Sequence, residues 1–212
     1  MAMTDATTFH REERLNAFSH ALGALLGVIG FFLLLRNNGH KTAYAGISII
    51  IYSISFVVLF TASTIYHAVS RVHLRKGFRI LDHISIYLLI AGTYTPVALI
   101  SLIDGKGWPL FYTVWGIAAF GTFFKLFYTG KYEWLSLLLY LVMGWLIIFD
   151  FQYLREQSST FGIQLLFLGG AFYTLGTLFY AIRKIPYNHF IWHLFVLAGA
   201  FSHWLYIYLD VI

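Results

Sequence analysis

An all-α bundle of seven transmembrane helices is the fold this sequence predicts, and three observations predict it. The first is composition. Of 212 residues, 59% are hydrophobic and only 11% charged, and mean hydropathy is +0.74, whereas a soluble domain carries about 25% charged residues. The second is spacing: seven apolar stretches are each long enough for a bilayer crossing, which takes about 20 residues. The third is loop charge. With the N-terminus inside, ten of the 14 Lys and Arg fall in cytoplasmic segments, among them Arg11, Arg14, Arg71, Arg75, Arg79, Lys125 and Arg183. That bias predicts a cytoplasmic N-terminus and a C-terminus outside.

The elements follow in order as a single domain, 1–212. A short cytoplasmic segment, 1–16, precedes a first span at 17–35. That span is read as retained rather than as a signal peptide, because Glu12 and Glu13 precede it and no small-residue cleavage pattern closes it. Further spans are expected at 43–68, 80–103, 108–128, 134–152, 160–181 and 189–211, joined by short polar loops. Pro109 suits a helix start, Pro186 precedes the last span, and Pro96 should kink the third. The 20% aromatic content fits interfacial belts. The net charge of +5 is scattered through loops and does not indicate nucleic-acid binding. With no cysteine, disulfides and thiolate sites are excluded, so a metal here is held by His, Asp, Glu or water. The expected setting is a membrane crossed several times, with membrane lipids and a second copy of the chain as candidate partners.

Against this apolar background a few polar residues stand out. Ionisable groups inside a membrane are costly and mark functional sites. His189 and His193, spaced i, i+4, share one helix face at the start of the last span. His67 ends the second span with Ser63 one turn earlier, and Asp82 opens the third. Glu13, Asn16, His20, Gly23 and Gly27 form a stripe on helix 1, with Gly23 and Gly27 permitting close approach of a neighbour. Span order places all these groups at one depth. Three imidazoles and a water make a common zinc site with an open position. Asp82 is placed to accept a proton from that water. Ser63 would orient Asp82 or stabilise an oxyanion, and Glu13, Asn16 and His20 would tune the ligands from behind. His203 lies about 15 Å farther along its helix, beyond the same coordination sphere. His83 points away from Asp82 and is read as structural, and His10, His40 and His73 as loop residues. Asp150 and Asp210 fall near outer span ends.

Three motifs carry a family resemblance. Glu13-x2-Asn16-x3-His20, Ser63-x3-His67 followed by Asp82, and His189-x3-His193 continuing to His203 resemble the signatures of bacterial hemolysin III proteins. Those proteins lie within the superfamily of progestin and adipoQ receptors, which includes the adiponectin receptors. The resemblance implies zinc held by His67, His189 and His193 near the cytoplasmic face, with Asp82 acting through a water. It extends to alkaline ceramidases, which implies hydrolysis of a lipid amide or ester. Two departures limit it: the long soluble N-terminal region of the receptors is missing, and position 190, acidic in some relatives, is Phe190. The expected function is thus a zinc-dependent intramembrane hydrolase. The alternatives are a pore-forming cytolysin and a sensor whose zinc is structural.

Overall fold

The computed structural model describes residues 2–182 and 184–212, with side chains from Phe9 onward; Arg183, counted above among the inside charges, lies outside the described residues. The helices are α1 (Ala2–Arg36), α2 (Ala45–Ala68), α3 (Val72–Pro96), α4 (Gly107–Tyr128), α5 (Glu133–Gly144), α6 (Phe151–Gln157), α7 (Thr160–Ala181) and α8 (Asn188–Tyr206). Joined by a short 3-10 segment, Leu146–Asp150, α5 and α6 make one crossing, so the bundle has seven spans.

Two helices begin earlier than the apolar pattern predicts. α1 starts at Ala2, well before the apolar span expected at 17–35 and before Glu13, the first residue placed on its stripe, because the polar segment contains no glycine or proline to stop it. α3 starts at Val72 rather than at 80. His10 and His73 are therefore helical, not loop residues. Hydropathy locates the membrane-buried part of a helix and is silent on a polar extension.

Two of the irregularities have identifiable causes. Pro96 ends the α-helical part of α3, and the chain continues as a π-helical turn, Val97–Ser101, in which Leu102 N–H donates to Val97 O at 3.0 Å. α8 ends in a similar turn, Ile207–Val211, and the two turns touch at the same end of the bundle. The α5 break comes from a side chain: Tyr94 Oη donates to the Gly144 carbonyl at 2.8 Å and accepts the Ile147 N–H at 3.0 Å. A hydroxyl set into the helical ladder in this way interrupts it.

Carboxylates from other elements cap several helix starts, satisfying amides that a membrane leaves no water to bond. Glu12 Oε1 accepts the N–H of His189 at 3.1 Å and of Phe190 at 3.4 Å, at the head of α8. Asp210 accepts Ser159 N–H at 2.9 Å and Ser159 Oγ–H at 2.8 Å, at the head of α7. Asp150 accepts Lys106 N–H at 2.8 Å, before α4.

α3 is the most enclosed span, with 72% of its most apolar window buried, against 17% for the α5–α6 crossing. α1 lies between α2 and α8, and α7 packs along α8. Small residues make these approaches possible. Added Cβ atoms at Gly23 and Gly27 would collide with Phe60 and Phe56, so the α1 stripe meets α2 as expected. On α7, Gly162, Gly169 and Gly176 face Asp210, His203 and the Trp192–Phe195 pair of α8. That seven-residue repeat is the spacing of a left-handed helix seam.

Candidate metal centre

His67 occupies the last turn of α2, and His189 and His193 occupy the first two turns of α8. Tyr187, just before α8, holds left-handed backbone at φ 55° and offers no side-chain cap, which is why Glu12 of α1 serves that role. The cap fixes the start of α8 against α1 and thereby the height of both its histidines.

The three imidazoles converge. Ring centroids lie 5.1 Å apart for His67 and His189, 4.8 Å for His67 and His193, and 4.8 Å for His189 and His193. One ring nitrogen from each lies within 4.8 Å of the others, a grouping able to hold a metal ion. On two of the three, hydrogen bonds settle which nitrogen is free. His67 Nδ1–H donates to Glu13 Oε2 at 3.2 Å, leaving Nε2 buried and without a partner. His193 Nδ1–H donates to the carbonyl of Asn16 at 3.3 Å, the same oxygen that takes the Ser19 hydroxyl at 3.0 Å. A histidine ligand is typically oriented in this way, by a carboxylate or carbonyl on its other nitrogen. The donor set, three imidazoles without thiolate, fits zinc and related imidazole-binding ions.

Glu13 is fixed in turn by Arg75, whose Nη2 lies 2.5 Å from the same Oε2. The Arg75 guanidinium also sits over Tyr66 at 5.0 Å and Phe9 at 5.9 Å. His20 is buried and stacks on His193 with centroids 3.7 Å apart and planes 16° from parallel. Among the described residues, His20 is not part of the metal-holding group.

A cavity of about 130 Å³ opens beside the trio, bounded mainly by apolar side chains of α3, α5, α7 and α8. Its polar positions include His20, Ser63, Asp82, His189, His193 and His203; His67 does not line it. Asp82 is half-buried and lines the cavity together with Ser63. Arg79, a simple alternative partner for Asp82, pairs instead with Glu133. His203 closes the far side, donating from Nε2 to the Leu166 carbonyl at 3.1 Å with Tyr173 edge-on at 5.4 Å. There it also borders a smaller chamber of about 50 Å³, shared with Thr93, Tyr94 and Gly144.

Several contributors escape a reading of the sequence. Arg75 and Glu12 look like ordinary interface charges. So does a cluster around Glu133, whose Oε2 meets Lys125 Nζ at 2.7 Å and His83 Nδ1 at 3.5 Å. His83, expected to be structural, thus faces a carboxylate and lines the cavity. A lysine at the end of one span and a glutamate at the start of the next are the signals available, and both read equally as boundary charges.

Comparison with known proteins agrees over almost the whole chain. A family model described as haemolysin-III related matches residues 8–204. "Hemolysin-3" of Bacillus cereus is 42% identical over 199 residues, covering 93% of this chain and 91% of its own. The "Hemolysin-3 homolog" of Bacillus subtilis (strain 168) is 40% identical over 191 residues, covering 90% of each. The human "Monocyte to macrophage differentiation factor" is 32% identical over 210 residues, covering 93% of this chain and 85% of its own. No solved structure matches.

Proposed function

The chain belongs to the haemolysin III family, as a multi-pass protein of the bacterial plasma membrane, and from that premise we propose that it is a zinc-dependent intramembrane hydrolase of a lipid amide or ester. One observation carries the reading: three histidines with one ring nitrogen of each gathered at the edge of an apolar cavity that also presents Asp82 and Ser63. A purely structural metal is usually enclosed by four protein ligands, whereas three leave a position for chemistry.

His67, His189 and His193 would hold the ion. When bound, it supplies Lewis acidity, polarising a carbonyl and making water a nucleophile near neutral pH. Asp82 accepts the proton of the attacking water and returns it to the leaving group. Ser63 keeps the Asp82 carboxylate turned into the cavity. Glu13 and the Asn16 carbonyl hold His67 and His193 in the tautomers that leave the ligating nitrogens bare. The apolar walls receive an acyl chain and keep bulk water from the reacting carbonyl. Loop charge supports placing the site at the cytoplasmic side, so substrate arrives from the inner leaflet.

The test is metal content and turnover together. Purified protein should carry about one zinc per chain, lost in His189→Ala and His193→Ala, since each removes one of three ligands. Asp82→Asn should retain zinc while losing hydrolysis by about 10²–10⁴-fold, the usual worth of a general base. Equal turnover in wild type and Asp82→Asn would refute the role given to Asp82, and unchanged zinc in both histidine variants would refute the ligands. The name of the Bacillus cereus relative supports a second reading, a pore-forming cytolysin. Dye leakage from liposomes that survives removal of zinc, with no lipid hydrolysed, would favour it.

A further inference from the structure

We propose that Arg79, held beside the cluster of Glu133, Lys125 and His83, forms the headgroup site for a phosphate-bearing membrane lipid; the inference rests on the hydrolase reading for the fate of that lipid and names its class.

Position comes first. Arg79 and His83 lie in the third and fourth turns of α3, Lys125 in the last turn of α4, and Glu133 opens α5. All are at the end of the bundle that holds the histidine trio, where spans emerge at headgroup depth. His83 and Glu133 line the same cavity as Asp82 and His189. A lipid whose headgroup rests here therefore has its acyl linkages next to the proposed chemistry and its chains against the apolar walls.

Charge supplies the ligand class. Lys125 and His83 already meet the Glu133 carboxylate, so among the described residues the Arg79 cation is left without a hydrogen-bonded counter-ion. The carboxylate is already used by others. Oε2 takes the fully enclosed Lys125 at 2.7 Å and His83 at 3.5 Å, and Oε1 takes the Gly130 N–H at 2.8 Å. Arg79 is left 3.9 Å from Oε1, past hydrogen-bonding distance, with its side chain 44% exposed. Its guanidinium keeps most of its five donors, in the planar fork that fits two phosphate oxygens at once. A neutral headgroup such as that of a ceramide would leave this fork unused. Arg71 and Lys76 are also exposed at this end but, unlike Arg79, are not beside the cavity-lining Glu133, so they separate general attraction to an anionic membrane from binding at the cluster.

The experiment is lipid retention by the purified zinc-loaded protein, read by native mass spectrometry. Phosphatidylglycerol and phosphatidic acid are set against ceramide and diacylglycerol of matched chains, with glycerol 3-phosphate as a free phosphate. The phosphate lipids should be retained about tenfold more tightly, the factor expected from one charge-assisted contact. Arg79→Gln should remove most of that preference, Arg79→Lys should restore part of it, and Lys76→Gln should leave it intact. Equal retention of neutral and phosphate lipids would overturn the proposal, as would a preference unchanged in Arg79→Gln or lost equally in Lys76→Gln. Glycerol 3-phosphate binding as tightly as the lipids would overturn the choice of a lipid over a soluble phosphate. Retention is read without turnover, so the two readings fail separately. Preference for phosphate lipids with no lipid hydrolysed would sink the hydrolase and keep the headgroup site. Hydrolysis of neutral amides with no such preference would do the reverse.

Discussion

Glu13 Oε2 is a single oxygen with two cationic or donor partners, Arg75 at 2.5 Å and His67 Nδ1 at 3.2 Å. The arginine draws the carboxylate into place and the carboxylate turns the imidazole, so the pair works as one lever on His67. Removing such support from a metal ligand typically costs about 10–100-fold in metal affinity. Glu13→Ala and Arg75→Met should each weaken zinc binding in that range, measured by competition with a chromogenic chelator. The double variant should be little worse than Glu13→Ala, because groups in one network do not add. Full additivity, or unaltered affinity in both single variants, would show that His67 is oriented by something else. Glu13 was legible in the sequence, being an acid on the helix face that also carries Asn16 and His20. Arg75 was not, because an arginine beside a membrane span normally reports orientation, and only the fold shows its guanidinium held between Phe9, Tyr66 and Glu13.

At the scale of elements, the seven spans were visible as runs of apolar residues, while their interruptions were partly hidden. Pro96 announced a disturbance in α3 because it lacks an N–H. The break after α5 had no comparable signal, since a tyrosine within an apolar helix reads as packing until its hydroxyl is seen between Gly144 and Ile147. Tyr94→Phe removes both bonds at once and leaves a carbonyl and an amide without partners in an apolar setting. Each such group costs about 1–3 kcal/mol. The variant should therefore either melt measurably earlier in detergent or straighten α5 into continuous helix, visible as added amide protection across residues 144–150. An unchanged melting temperature with unchanged protection would show that the tyrosine follows the break rather than causing it. The glycines of α7 were also readable as small residues, but not their partners, since Asp210, His203 and the Trp192–Phe195 pair come from another helix.

At the scale of the whole molecule, the proposed ligands join α2, early in the chain, to α8, its final span. A metal held by both favours the folded bundle by mass action, by about 4 kcal/mol when free metal stands at a thousand times its dissociation constant. A strong chelator should lower the melting temperature of the wild type and leave that of His193→Ala where it already is. Equal shifts in the two proteins would mean the ion binds elsewhere. The closeness of first and last helices follows from no local pattern; the sequence showed that the polar groups share a depth, and the contact of α1 with α8 brings them together laterally. That contact bears on biosynthesis. Spans enter the membrane in the order they are made, so α1 to α7 are in the bilayer before α8 leaves the ribosome. Until then Glu12 has no amides to cap, the Asn16 carbonyl lacks its imidazole, and His67 stands without its two companions. The proposed centre is thus completed only when α8 joins the bundle, and a chain truncated before α8 would lack two of its three imidazoles.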